Sequence, residues 1–240
     1  MRKTKIITAF LLLTGLIVIL SCDRRSNING PVASYNVEVF TFDSITVPKN
    51  VVRVGCFITD LGGGQVGNIL VHFSTLESGS ISPSRTSSET DLVDGLGGSD
   101  LYFYPDGAVG EVHIVASIDY EGTEGKSDTT LVDVKPYLIT LSADDIDLIV
   151  PPATTTNINC VVQHPVTLQD VADIHLLFSS DIGYVTPSAM SSDNTPNGMQ
   201  STVEFISPDS GGVATIIVIA VYPFPQLTMG SDTLQITVTD

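Results

Sequence analysis

FSSDIGYVTPS, from Phe178 to Ser188, repeats what the chain has already said at Phe73 to Ser84, where it reads FSTLESGSISPS. Both stretches open on Phe-Ser, carry a Gly and an apolar residue, and close on Ser/Thr-Pro. Working outward, VPKN at Val47 answers VPPA at Val150, and Val54, Cys56 and Ile58 answer Ile158, Cys160 and Val162. Val71 and Phe73 answer Leu176 and Phe178, and Pro105 answers Pro208. Val112, Ile114 and Ala116 answer Ile216, Val218 and Ala220. SDTTLVDV at Ser127 closes the first copy as SDTLQITV at Ser231 closes the second. The spacing stays between 103 and 105 residues, so length changes fall in loops and the chain reads as a tandem duplication.

Each copy is a series of short alternating segments bounded by Gly, Pro, Asn and Asp, the pattern of strands and turns. The best helical candidate, Leu168 to Leu176, is short and broken by Asp170 and Asp173. A unit of about 100 residues with some seven such strands is the pattern of an immunoglobulin-like sandwich, two apolar inner faces packed roughly 10 Å apart. The chain has no Trp, so the antibody-type Cys-Trp-Cys arrangement is excluded. The expected fold is all-β: two tandem immunoglobulin-like β-sandwiches, residues 35–135 and 136–240. Gly63-Gly64 and Gly211-Gly212 are expected at positive φ in turns.

The first unit carries a more specific series. TDLGGGQVGNILVHF places Asp60, Gly63, Val66, Val71 and Phe73 in order, followed by SISPS, a Thr-Asp turn ending at Gly95, and VGEVHIVAS. This resembles the bacterial immunoglobulin-like domain of the invasin/intimin type (Big-1). The likeness runs from Tyr35 to Val134 and recurs more weakly from Tyr137 to Asp240. There VVQHPVTLQDVADIHLLF lacks the Asp-x-x-Gly turn, while Gly198, SGGVATIIVIA and DTLQITV remain. The resemblance implies a surface or periplasmic module with an adhesive or structural role and an unidentified protein or glycan ligand. A carbohydrate-binding or scaffold accessory of an envelope complex is the second reading, and a hydrolase the last.

The N-terminus fits export. MRKTK supplies Arg2, Lys3 and Lys5, and the uncharged run Ile6 to Leu20 is too short to span a bilayer but fits a signal-peptide core. It closes on Ile19, Leu20, Ser21 and Cys22, which resembles a lipoprotein lipobox. By that resemblance residues 1–21 are a leader, Cys22 is lipidated and partners the membrane, and 22–34 form the anchor and a flexible tether. The tether reaches at most ~40 Å, and several acyl chains would make the tie durable. The expected location is the bacterial cell envelope, with the outer membrane or cell surface ahead of the inner membrane. Asp23 alone argues the other way, under the sorting rule of some Gram-negative bacteria.

Net charge is −17, from 10 Lys+Arg against 27 Asp+Glu, which excludes an electrostatic grip on nucleic acid. Cys56 and Cys160 occupy the same place in successive units, too far apart for a disulfide, and alternate with apolar neighbours; buried free thiols are expected. His72, His113, His164 and His175 lack metal-ligand spacing, and neither Gly-x-Ser-x-Gly nor His-Glu-x-x-His occurs, so no catalytic residue and no cofactor is expected. Asp144, Asp145 and Asp147, near the unit junction, are weak Ca²⁺ candidates, and Asp91, Asp94 and Asp100 crowd another loop. YPFPQLTMG, from Tyr222 to Gly230, is the most apolar loop, and Tyr222, Phe224 and Leu227 are the ligand-binding candidates. Lys135-Pro136 joins the units stiffly, so they are expected to stack end to end.

Overall fold

The computed structural model describes residues 35–88, 101–118, 126–150, 154–192, 200–223 and 226–240. The first unit holds β1 (Tyr35–Thr41), β2 (Ile45–Thr46), β3 (Val52–Asp60), β4 (Leu70–Thr75), β5 (Ser80–Ser82), β6 (Arg85–Ser87), β7 (Leu101–Tyr104), β8 (Gly110–Ile118) and β9 (Lys126–Val134). The second holds β10 (Leu138–Ala143), β11 (Asp147–Ile149), β12 (Thr155–Gln163), β13 (His175–Ser180), β14 (Tyr184–Thr186), β15 (Ala189–Ser191), β16 (Gln200–Ile206), β17 (Gly212–Pro223) and β18 (Gln226–Thr239). Among the described residues there is no helix. The helical candidate at Leu168 is interrupted by left-handed residues, Leu168 at φ 55° and Asp173 at φ 59°.

Each unit is an immunoglobulin-like β-sandwich, and the two share one strand order. Sheets β1-β3-β7-β5 and β2-β9-β8-β4-β6 face each other in the first; β10-β12-β16-β14 and β11-β18-β17-β13-β15 do so in the second. In both, the first strand pairs antiparallel in one sheet and its short continuation crosses over to pair parallel with the last strand: β2 with β9, β11 with β18. Period-two alternation builds the cores. On β8, Val112, Ile114, Ala116 and Ile118 are buried while Glu111, His113, Val115 and Ser117 point outward. One core gathers Val54, Cys56, Ile58, Phe73, Leu101 and Phe103; the other gathers Ile158, Cys160, Phe178, Phe205, Ile216 and Ile236. Each such side chain contributes about 1.5–3 kcal/mol by leaving water.

Two sequence readings need correcting. Phe73 pairs with Ala116, whereas Phe178 pairs with Val218. The true counterparts of Val112, Ile114 and Ala116 are therefore Ala214, Ile216 and Val218, two residues earlier than the sequence alignment placed them. A two-residue slip keeps every inward residue inward, so alternation cannot detect it. Among the four turn glycines, only Gly63 has positive φ, at 82°. Gly211 serves close approach instead: its amide donates to the Asp240 carboxylate at 2.6 Å, and a Cβ there would crowd the Val238 carbonyl.

The connection between the units has no slack. The Lys135 amide donates to the Thr46 carbonyl at 2.8 Å, and the Tyr137 amide donates to the Met229 carbonyl at 2.8 Å. Pro136 lies between these two anchored residues. Val47, only 1% exposed, leaves the first unit to pack with the second unit's core, where Tyr137 and Met229 are also buried.

Candidate functional site

The two sandwiches differ on the outer face of their four-stranded sheets. On β1 the alternation that points Val37 and Val39 inward points Phe40 outward, and Phe42 follows just beyond the strand. Phe40 pairs with Gly55 of β3, and Phe57 lies one outward position further along. The far end of the Phe40 ring lies over Gly55, where any Cβ would overlap it; the glycine leaves the room the ring occupies. Phe40 stacks on Phe57 with centroids 5.2 Å apart and meets Phe42 edge-on at 5.5 Å. The Arg53 guanidinium sits 4.8 Å from the centre of the Phe42 ring, in cation–π range. Arg53 pairs across the ladder with Tyr102 on β7, and Tyr104 follows two residues on.

The strip continues to the junction. Tyr104, Val51, Pro48 and Tyr222 line one small cavity of about 120 Å³ between the units. On the other side of the β17–β18 hairpin, Leu227 and Thr228 face Glu77, Gly107, Ala108 and Glu111 across a cleft of about 310 Å³. Gly107, at φ 85°, lies so close to Tyr222 that a Cβ there would come within 2.5 Å of the Tyr222 Cβ. The Lys49 ammonium donates to the Asp173 carbonyl at 2.8 Å and adds a polar tie across the junction. Burial pushes the Tyr137 phenol up to about 12, against a smaller downward pull from its hydrogen bond to the Lys49 backbone.

The candidates from sequence fall as follows. Tyr222 and Leu227 are half-buried at the junction instead of standing on a free loop, and Phe224 lies outside the described residues. Cys22, Asp91, Asp94 and Asp100 also lie outside them. Asp144 and Asp145 follow the end of β10 remote from the junction. The Asp144 carboxylate accepts the side-chain amides of Asn157 at 2.7 Å and Asn159 at 3.0 Å. Asp145 accepts the Asp147 amide at 3.0 Å, which caps the turn. Among the described residues no group of three or more His, Cys, Asp or Glu is placed to hold a metal.

Cys56 and Cys160 are both free and fully buried. Burial, helped by the Asp128 and Asp232 carboxylates respectively, pushes each thiol from 9.0 up to about 12. His113 points outward as its alternation requires, and its Nδ1 meets the Glu77 carboxylate at 2.9 Å. The His113 amide also donates to Glu77, at 2.6 Å, and these bonds hold that carboxyl below its usual range. His164 stands where Asp60 stands in the first unit. Asp60 accepts the amides of Gly62 and Gly64 at 2.8 and 2.9 Å; His164 Nδ1 accepts those of Val166 and Thr167 at 3.2 and 3.3 Å. The second unit thus keeps a capped turn with a different acceptor.

Comparison with protein-family models and with curated proteins gives no match. Among solved structures, the D0-D1 domain of intimin matches 84% of this chain and 99% of its own length, at 12% identity and TM-score 0.34. The Yersinia pseudotuberculosis adhesin InvE matches 85% of this chain and 58% of its own length, at 14% identity and TM-score 0.37. Invasin, described as a bacterial integrin-binding protein, matches 86% of this chain and 40% of its own length, at 14% identity and TM-score 0.40. These three neighbours are intimin/invasin-type immunoglobulin-like adhesin domains, and domains of the surface layer protein SbsC match as well.

The aromatic strip was missed at the sequence level, although parity held the signal. In VEVFTF the two Phe residues share one parity and Val37 and Val39 the other. Once the valines are assigned inward, the rings must face out.

Proposed function

We propose that this chain is a non-catalytic adhesion and structural module of the bacterial cell envelope that holds a protein ligand along the strip from Phe57 to Tyr222. It is exported behind residues 1–21, anchored through lipidated Cys22 at the outer membrane or cell surface, and built of modules 35–135 and 136–240. The supporting observation is an internal comparison. At the second-unit positions matching Phe40, Gly55, Arg53 and Tyr102 stand Ser142, Asn159, Asn157 and Glu204. The Thr202 hydroxyl donates to the Asn159 side-chain carbonyl at 2.9 Å, so that face is an ordinary polar network. The fold therefore does not require aromatics there, and aromatic residues with an Arg are what interface centres are made of.

A protein ligand is favoured over a glycan because Phe40 and Phe57 spend their flat faces on each other. Ring edges, which carry the positive side of the aromatic quadrupole, are suited to apolar side chains and to backbone carbonyls. The test pairs Phe42→Ser with Tyr102→Ser on beads coated with the protein, probed against protein and glycan arrays. Binding to a protein that the double variant loses, at unchanged melting temperature, is the expected result. Glycan-only binding moves the chain to the carbohydrate reading; protein binding indifferent to the substitutions removes the strip as the site.

A further inference from the structure

A second surface diverges between the copies, in the opposite direction. In the first unit the outward positions of β8 and β9 include the charged pair Glu111 and Asp133, facing each other across the ladder, with His113 opposite Leu131. The same ladder in the second unit pairs Val213 with Thr237, Thr215 with Gln235, Ile217 with Thr233 and Ile219 with Ser231. Leu177 of β13 lies beside Ile219. Val213 is 52% exposed and Ile217 40%. Every outward position on these two central strands, from Val213 to Ile219 and from Ser231 to Thr237, is uncharged in a chain of net charge −17. The charged and titratable groups stand on the flanking strands and at the end of β13, where Asp181 reaches β17 beside Thr215. Asp147 lies on β11 and His175 on β13, and the Asp181 carboxylate is occupied by the Thr215 and Ile182 amides.

We propose that this face is a homotypic interface, on which a second copy of this chain packs sheet against sheet. The occupant follows from charge and shape. Two copies that each carry −17 repel wherever acidic faces meet, and this face carries no such charge on its central strands. Its β-branched Val, Ile and Thr rows suit face-to-face sheet packing at about 10 Å. A two-fold axis lying between the two sheets, above the centre of β17, would set the same residues on both sides, as an isologous contact requires. The five strands together hold 38 residues; at about 4.8 Å between strands and about 3.3 Å per residue they offer roughly 600 Å² per copy, at the low end of standard-size interfaces. The aromatic strip lies on β1, β3 and β7 of the first unit and reaches β17 only at Tyr222, beyond the register shift at Ala220/Val221, so pairing over Val213 to Ile219 leaves Phe40, Phe42 and Phe57 uncovered.

Analytical ultracentrifugation of the purified protein across the micromolar range tests the pairing. The expected result is a monomer–dimer equilibrium that Ile217→Glu weakens by more than about tenfold, since it sets like charges opposite each other. Val115→Glu, at the matching position of the first unit, should leave it unchanged. Thr215→Cys should form disulfide-linked dimers under mild oxidation and His113→Cys should not, with native Cys56 and Cys160 buried in both. A wild-type chain that stays monomeric up to its solubility limit, or a dimer indifferent to Ile217→Glu, overturns the proposal.

Discussion

The Asp232 carboxylate on β18 accepts the backbone amide of Leu141 on β10 at 2.7 Å, tying the last strand of one sheet to the first strand of the other. The first unit repeats the tie: Asp128 on β9 accepts the Val39 amide at 2.8 Å. In each unit the edge strand β1 or β10 is thus held by a charge-assisted bond from the facing sheet. Asp128→Ala or Asp232→Ala leaves a part-buried amide without its acceptor and should cost about 1.5–3 kcal/mol. In a unit of this size each kilocalorie is worth about 4–8 °C of melting temperature. Calorimetry should show each substitution lowering the transition of its own sandwich and sparing the other.

Ser88 and Ser192 form a second duplicated device. The Ile69 amide donates to the Ser88 hydroxyl at 3.1 Å, and that hydroxyl donates to the Val66 carbonyl at 2.7 Å. Ile174, Ser192 and Val171 repeat the arrangement at 2.9 and 2.8 Å. Both serines are buried, so Ser→Ala strands a donor and an acceptor away from water. The expected loss is about 1–3 kcal/mol per site. Urea denaturation should show it as a lower midpoint at constant slope. A neutral Ser192→Ala would mean that water reaches the site.

These devices explain how far the sequence could be read. The every-other-residue recurrence of Val54, Cys56 and Ile58 marked the inward faces, although Phe57 stands among the outward positions, and repetition of those triplets marked the duplication. Both signals come from burial, which period-two patterning exposes directly. The register of β17 was not legible, because shifts by two residues preserve parity. Ser88 and Ser192 were invisible because a buried serine looks like any loop serine until its partners are known. The place of Tyr222 was legible and overlooked. β18 runs toward Asp240, away from the junction, so the hairpin that begins it must sit beside Tyr137 and the first unit.

Alkaline pH should destabilise the protein through its buried acids. Cys56 and Cys160 are raised from 9.0 to about 12, and Tyr137 from 10.0 to about 12. The unfolded chain loses these protons first, so the contribution of these three groups is level below about pH 9 and falls as pH climbs toward 12. Each group can add up to about 1.4 kcal/mol per pH unit to that fall. Urea melts between about pH 8 and 11 should therefore have a shallower limb in the Cys56→Ala, Cys160→Ala double variant. Thiol reagents should label wild-type protein only once it unfolds; rapid labelling of the folded form would contradict the burial of both sulfurs.

The contact between Gly107 and Tyr222 should govern how rigidly the sandwiches are joined. Gly107→Ala places a methyl group within 2.5 Å of the Tyr222 Cβ and forces a non-glycine residue to φ 85°. The backbone part costs about 1–2 kcal/mol whatever faces it, whereas the overlap depends on Tyr222. Tyr222→Ala keeps the Cβ but removes the ring, whose Cγ and Cδ1 are the next atoms a Gly107 Cβ would meet. A cycle of the two substitutions separates the terms, and a coupling above about 0.5 kcal/mol marks direct contact. Small-angle scattering supplies the geometric readout: Gly107→Ala should broaden the distribution of maximum dimensions as the junction opens, with far-ultraviolet dichroism unchanged. An unaltered scattering profile would show that Val47, Lys49 and the Lys135–Tyr137 hydrogen bonds hold the units together without this contact.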